Sequence, residues 1–122
     1  MIELSHIYAN LDKHLYKAQI QYEEVIEKYG EAREYYAECV IEYEKAFAEE
    51  VKKLNSKNIP VTIVKEIAKL NCIEQYEKML KAKALYKKYK ANKEAYEERI
   101  NTIKFLSKIK FNMFVLEQDK EI

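Results

Sequence analysis

Glycine and proline occur once each in these 122 residues, tryptophan is absent, and arginine is limited to Arg33 and Arg99. Each scarcity excludes something. A sheet protein that turns every ten residues or so needs many positions with positive or preset φ, and one Gly with one Pro cannot supply them. A phosphate-cradling loop needs several glycines, so that route to nucleotide binding is closed. Two arginines leave little for bidentate reading of base edges. No apolar run reaches the roughly 20 residues of a membrane-spanning helix. Met1-Ile2-Glu3-Leu4 shows no basic stretch leading into an apolar core, so a cytoplasmic chain away from the membrane is expected. Cys39 and Cys72 stand far apart and in no ligand-like spacing, which suits a reduced compartment.

What is abundant is Ala, Glu, Lys, Leu and Tyr, a composition that goes with helical periods near 3.5 residues. The expected fold is all-α: a long antiparallel helical hairpin, coiled-coil-like, with a short connecting helix, forming one domain. The first helix is expected over about residues 4–54. Its seam alternates steps of four and three through Leu4, Tyr8, Leu11, Leu15, Ala18, Tyr22, Val25, Tyr29, Ala32, Tyr36, Cys39, Tyr43 and Ala46. Large residues alternate with small ones, so Tyr22, Tyr29, Tyr36 and Tyr43 read as core rings beside close approaches at Ala. Gly30 falls outside the seam and reads as a helical glycine, about 1 kcal/mol worse than Ala, not a turn. After Tyr43 the seam moves to Phe47, Val51 and Leu54.

Residues 55–61 gather Asn, Ser and the one Pro and form the connector. A short helix over about 62–70 should start at Thr62 or Pro60 and pack through Ile63, Ile67 and Leu70. Asn71 and Glu74 then have the spacing of a capping box, which predicts a long helix over about 72–110. The return seam is Met79, Ala82, Tyr86, Tyr89, Lys93, Tyr96, Ile100, Ile103 and Ser107, interrupted by Lys93 and Ser107. Residues 111–122 are expected as a tail. Phe105, Leu106, Ile109, Met113 and Leu116 would share one helical face, whereas Ile109, Phe111, Met113 and Val115 alternate as a strand would. With Phe114, this end is a candidate apolar interface.

Charge is balanced overall at +1 but unevenly placed. Ten glutamates between Gln21 and Glu50 face three basic residues there, while eleven lysines and arginines between Lys78 and Lys110 face three glutamates. Opposite arms predict flanking ion pairs, which choose register more than they stabilise. Lys81, Lys83, Lys87, Lys88, Lys90 and Lys93 interleave with Tyr86 and Tyr89, a candidate face for weak nucleic-acid contact.

Nothing in the sequence assembles a reaction. His6 and His14 are eight residues apart and cannot share a metal as an i, i+4 pair can. Cys72 lies near a helix start that would lower its pKa, but no base accompanies it. No Glu-x-x-His motif is present, so a carboxylate-bridged metal bundle is not expected. The expectation is a non-enzyme without cofactor or metal. Two helices alone bury only one stripe each, which predicts a homodimer closing as a four-helix bundle.

Residues 37–108 carry Glu44-Lys45-Ala46-Phe47-Ala48, then Asn58-Ile59-Pro60-Val61-Thr62-Ile63-Val64-Lys65-Glu66-Ile67-Ala68-Lys69, then Glu94-Ala95-Tyr96-Glu97-Glu98-Arg99-Ile100-Asn101, with Tyr76, Leu80, Ala84 and Tyr86 between. This segment resembles small helical-hairpin proteins encoded by bacteriophages and prophages near DNA replication and recombination genes. The resemblance implies a viral accessory protein in the host cytoplasm, with a phage or host protein as partner. It carries over no active-site residue. Two other roles fit the same chain: an anti-defence inhibitor that binds a host immune effector through the acidic helix, and a structural spacer of a virion.

Overall fold

The computed structural model describes residues 10–120, with the side chains of 114, 115 and 117–120 left aside. Leu4, His6 and Tyr8 therefore lie outside the described residues, and Phe114 and Val115 outside the described side chains. Three helices follow in order: α1 Leu11–Asn55, α2 Val61–Asn71 and α3 Ile73–Lys120. Among the described residues there is no strand. Packing divides the chain into two units, one of the residues up to Glu27 with those from Ala91 onward, the other Lys28–Lys90.

The helix ends follow from local chemistry. The Asn10 carbonyl accepts the His14 amide at 2.9 Å, opening α1. At its other end the Lys57 amide closes on the Leu54 carbonyl at 3.1 Å, and Asn58 turns the chain with φ of 59°, a conformation Asn tolerates better than most residues. The Pro60 carbonyl accepts from Ile63 and Val64 at 3.0 Å each, so Pro60, and not Thr62, starts α2. No break occurs at Gly30, and the helix continues through it.

Two expectations at the second junction are corrected. Asn71 does not cap α3. It is the last residue of α2, and its amide nitrogen donates to Glu50 Oε2 at 3.0 Å. Cys72 joins the helices instead: its amide donates back to the Ala68 and Leu70 carbonyls, and its own carbonyl accepts from Tyr76 at 3.0 Å. The packed face of α2 is also rotated. Val64 and Ala68 are its buried residues, with Ile67 beside them, while Ile63 and Leu70 are exposed. Ala68 lets the helix approach α1 closely, and the cluster closes over Leu54, Phe47, Val51 and Ile59.

At the far end, α3 does not stop near Lys110. It continues as helix through Lys120, and neither the tail nor the alternating strand pattern is realised there. No glycine or proline lies between Ile73 and Lys120 to stop it, and the Phe105-to-Leu116 residues carry a helical repeat as well as an alternating one.

In the first unit, Leu11, Ala18, Ile100 and Ile103 form the buried cluster, with Leu15, Tyr22 and Leu106 against it. In the second, Tyr43 meets Tyr76 at 5.5 Å, and Tyr29 and Tyr36 meet Tyr86 at 5.6 and 5.7 Å. Rising numbers on α1 meet falling numbers on α3, so the two helices are antiparallel within this unit.

Candidate interaction surfaces

The tyrosine seam is half-buried and its rings pack at the helix contacts. Tyr86 sits between Tyr29 and Tyr36, with rings inclined by 25° and 8°, and Tyr43 packs on Tyr76 and Phe47. The small seam residues Ala18, Ala32, Cys39 and Ala82 are buried almost completely, which is what lets the neighbouring rings overlap. In the first unit the Tyr22 hydroxyl donates to Glu97 Oε1 at 2.7 Å. That bond to a carboxylate raises the Tyr22 pKa, burial adding to it. The same bond, with the Lys93 ammonium, holds Glu97 below its usual range. Lys93, one of the two interruptions of the return seam, is thus drawn to Glu97 at 3.0 Å, and Ser107 satisfies its hydroxyl on the Ile103 carbonyl at 2.9 Å.

The lysines singled out from sequence do not form one face. At about 100° per residue, Lys81 and Lys88 lie on one flank of α3, and Lys83, Lys87 and Lys90 on the other. Tyr86 is withdrawn into the ring stack. Tyr89 is half-buried with the Lys88 ammonium 6.0 Å from its ring centre. Base stacking by these two tyrosines therefore has no free ring to use.

The flanks of the second unit differ in chemistry. On α1, Glu31, Glu34, Glu38, Glu42 and Glu49 recur at steps of three, four and seven and so share one side. Lys78 bonds Glu42 from α3 at 3.0 Å on that side and lies 6.0 Å from the Tyr35 ring centre. The bond to Glu42 raises the Lys78 pKa. This is the expected joining of acidic and basic arms. The other side of α1 presents Arg33, Ala37, Val40 and Phe47, with Glu44 its one carboxylate.

That second side carries a feature the sequence reading missed. Tyr43, Glu66, Lys69, Leu70, Ile73 and Tyr76 line a groove of ≈ 420 Å³. Its signal was present: Ile73 and Leu80 are seven residues apart and both fall off the return seam.

Of the candidate apolar interface, Leu106 is turned into the core, whereas Phe105, Phe111, Met113 and Leu116 are exposed and Ile109 is half-buried. Phe105, Ile109, Met113 and Leu116 follow at steps of four, four and three and form one outward line. Phe111 lies off it, beside Leu11, Asp12, Ser107 and Lys110.

Cys72 is not activated by its position. Burial pushes its thiol up, and the Glu50 and Glu49 carboxylates push it further, outweighing the helix start that sequence suggested. Among the described residues, no three His, Cys, Asp or Glu side chains converge as metal ligands, and no helix is long and apolar enough to cross a membrane. No family model, curated protein or solved structure matches this chain.

Proposed function

We propose that this chain is a non-enzymatic interaction protein, a homodimeric helical accessory of bacteriophage DNA replication or recombination that works through protein contacts. The carrying observation is apolar surface that the fold leaves uncovered. Phe105 is 63% exposed and Leu116 60%, on one line with Met113 and Ile109. Exposed apolar lines of this kind mark contact sites more often than solvated scaffold. A second copy laid along this line completes a four-helix arrangement by isologous pairing. The assignment to phage replication or recombination rests on the sequence resemblance over residues 37–108. Nucleic-acid contact, where it occurs, is weak and carried by lysine ammonium groups without ring stacking.

The test is mass by light scattering at micromolar concentration, beside a gel-shift series with duplex and single-stranded DNA at rising salt. The proposal expects a dimeric mass that falls to the monomer on Phe105→Ser with Leu116→Ser, and at most a salt-labile shift. A monomeric wild-type mass contradicts the dimer. A tight, salt-resistant shift makes the chain primarily a nucleic-acid binder.

A second reading draws on the Glu31–Glu49 flank. A line of carboxylates on one side of a helix imitates a phosphate backbone, which suits an anti-defence inhibitor seated in the basic nucleic-acid site of a host effector. Competition between this chain and DNA for such an effector would distinguish it.

A further inference from the structure

One flank of the second unit leaves apolar surface uncovered beside the Tyr43–Tyr76 ring contact. On it Leu70, at the end of α2, is 70% exposed, and Ile73, Tyr76 and Leu80 on α3 are 45%, 38% and 43% exposed. Steps of three and four put the α3 residues on one line. Tyr43 joins them along the ≈ 420 Å³ groove, whose two charged residues, Glu66 and Lys69, pair with each other at 3.5 Å. Further along α3 the line changes character. Lys83 and Lys90 follow Tyr76 at seven-residue steps, and Lys87 follows Leu80 by the same step. Among the described residues, no carboxylate lies within 4.0 Å of these three ammonium groups. Glu31, Glu34, Glu38, Glu42 and Glu49 of α1 are gathered on the opposite flank, and Glu44 alone of the α1 carboxylates in this unit lies on this side.

We propose that this flank docks an amphipathic helix of a partner protein, apolar on one face and acidic beside it. Its apolar residues seat between Leu70 and Leu80, and its carboxylates reach Lys83, Lys87 and Lys90. The proposal rests on the reading of the chain as an interaction protein and names the chemistry of its partner. Charge selects this occupant. A second copy paired isologously here sets its own three lysines, with Arg33, against the same set. A copy presenting its acidic flank instead makes a head-to-tail contact, which builds rings or filaments and not the proposed dimer. A nucleic-acid backbone satisfies the lysines but leaves Leu70, Ile73 and Leu80 against phosphate, where they gain nothing. An acidic amphipathic helix meets both halves of the line, the helix-in-groove mode of recognition.

The probe is a fluorescein-labelled synthetic peptide of about 20 residues, long enough at 1.5 Å per residue to follow the line from Ile73 to Lys90. Its apolar face carries Leu and its flanks Glu. A second peptide replaces every Glu with Lys, and a DNA duplex of similar length is the third probe. Anisotropy is read on the wild type, on Leu70→Ser with Leu80→Ser, and on Lys83→Glu, Lys87→Glu and Lys90→Glu together. These side chains are exposed or half-buried, so melting curves of both variants should overlay that of the wild type and verify the fold.

The proposal expects the acidic peptide to bind the wild type more tightly than the basic one. The leucine variant should lose roughly tenfold or more in affinity, as removal of central apolar anchors does. The triple lysine variant should prefer the basic peptide. Equal binding of the two peptides, an unaffected leucine variant, or a triple variant that keeps the acidic preference overturns it. So does a duplex that binds the wild type more tightly than either peptide. The dimer mass and DNA shift described above test the interaction reading separately, so either conclusion can fall while the other stands.

Discussion

Tyr86→Leu separates scaffold from surface at the residue where sequence left both readings open. Tyr86 contacts two rings, Tyr29 at 5.6 Å and Tyr36 at 5.7 Å. Leucine keeps much of the apolar burial but loses both stacked contacts. Aromatic pairs contribute about 0.5–1.5 kcal/mol each beyond area burial, so two lost pairs predict a destabilisation of about 1–3 kcal/mol. The half-buried setting favours the lower part of that range. Urea unfolding followed by helical circular dichroism measures it, with an unchanged slope required so that the midpoint shift reports stability alone. Tyr16→Leu is the control, because Tyr16 is 68% exposed and surface replacements usually stay within about 0.5 kcal/mol. A cycle with Tyr36→Leu should show the two losses to be less than additive, since they share one contact. Equal effects for Tyr86→Leu and Tyr16→Leu would refute the placement of Tyr86 in the seam.

Gly30→Ala should raise stability by about 1 kcal/mol in the same urea experiment, because a Cβ at Gly30 meets nothing within 4 Å and alanine is the better helix former. A loss of stability would mean the helix is not continuous there. The pH profile of stability should have a plateau with an acid shoulder to which Glu97 contributes and an alkaline one to which Tyr22 contributes beside Cys72 and Lys78. Glu97 is lowered from its ordinary 4.5, so its contribution is complete above that pH and disappears as pH falls through the folded value. Tyr22 is raised from 10.0, so its contribution is complete below that pH and disappears as pH rises through the folded value. Tyr22→Phe should reduce the alkaline shoulder and soften the acid one, and a profile identical to wild type would exclude the bond. Native Cys72 should react with iodoacetamide far more slowly than a free thiol, given its burial and raised pKa. Labelling at the unfolded rate would contradict that burial.

Much of the fold was legible because one rule wrote most of it. The alternating steps of four and three marked the α1 seam from Leu11 to Leu54, and those positions are buried or half-buried. The return seam from Met79 to Ser107 did the same despite its interruptions, and Lys93 and Ser107 found local partners that let the pattern pass through them. What failed were signals with two readings. Asn71 and Glu74 matched a capping box, yet Asn71 found a stronger partner in Glu50 across the junction. Ile63, Ile67 and Leu70 are larger than Val64 and Ala68, but the smaller pair permits the closer helix contact. Residues 111–120 fitted both periods, and the chain kept the period it was already in.

The surfaces were less legible than the core for a related reason. Counting charges over a segment averages around the helix and hides which side each one takes. Lys81, Lys83, Lys87, Lys88, Lys90 and Lys93 read as one face, whereas Lys93 bonds Glu97, Lys81 and Lys88 take one flank, and Lys83, Lys87 and Lys90 border an apolar line on the other. Converting the count to angles around α3 at 3.6 residues per turn recovers the division without any structure. Ile73 and Leu80 were legible as off-seam positions on α3, but the groove that joins Ile73 with Leu70 required the structure, because the end of α2 meets the start of α3 there.

The central claim is that the tyrosine seam is scaffold and the Leu70-to-Lys90 flank is the working surface. Amide chemical-shift mapping of the labelled chain during titration with the acidic peptide tests it most directly. Shifts concentrated in residues 66–90, with the Glu31–Glu49 flank unmoved, are the predicted result. Shifts centred on that acidic flank, or spread evenly along α1 and α3, would contradict it.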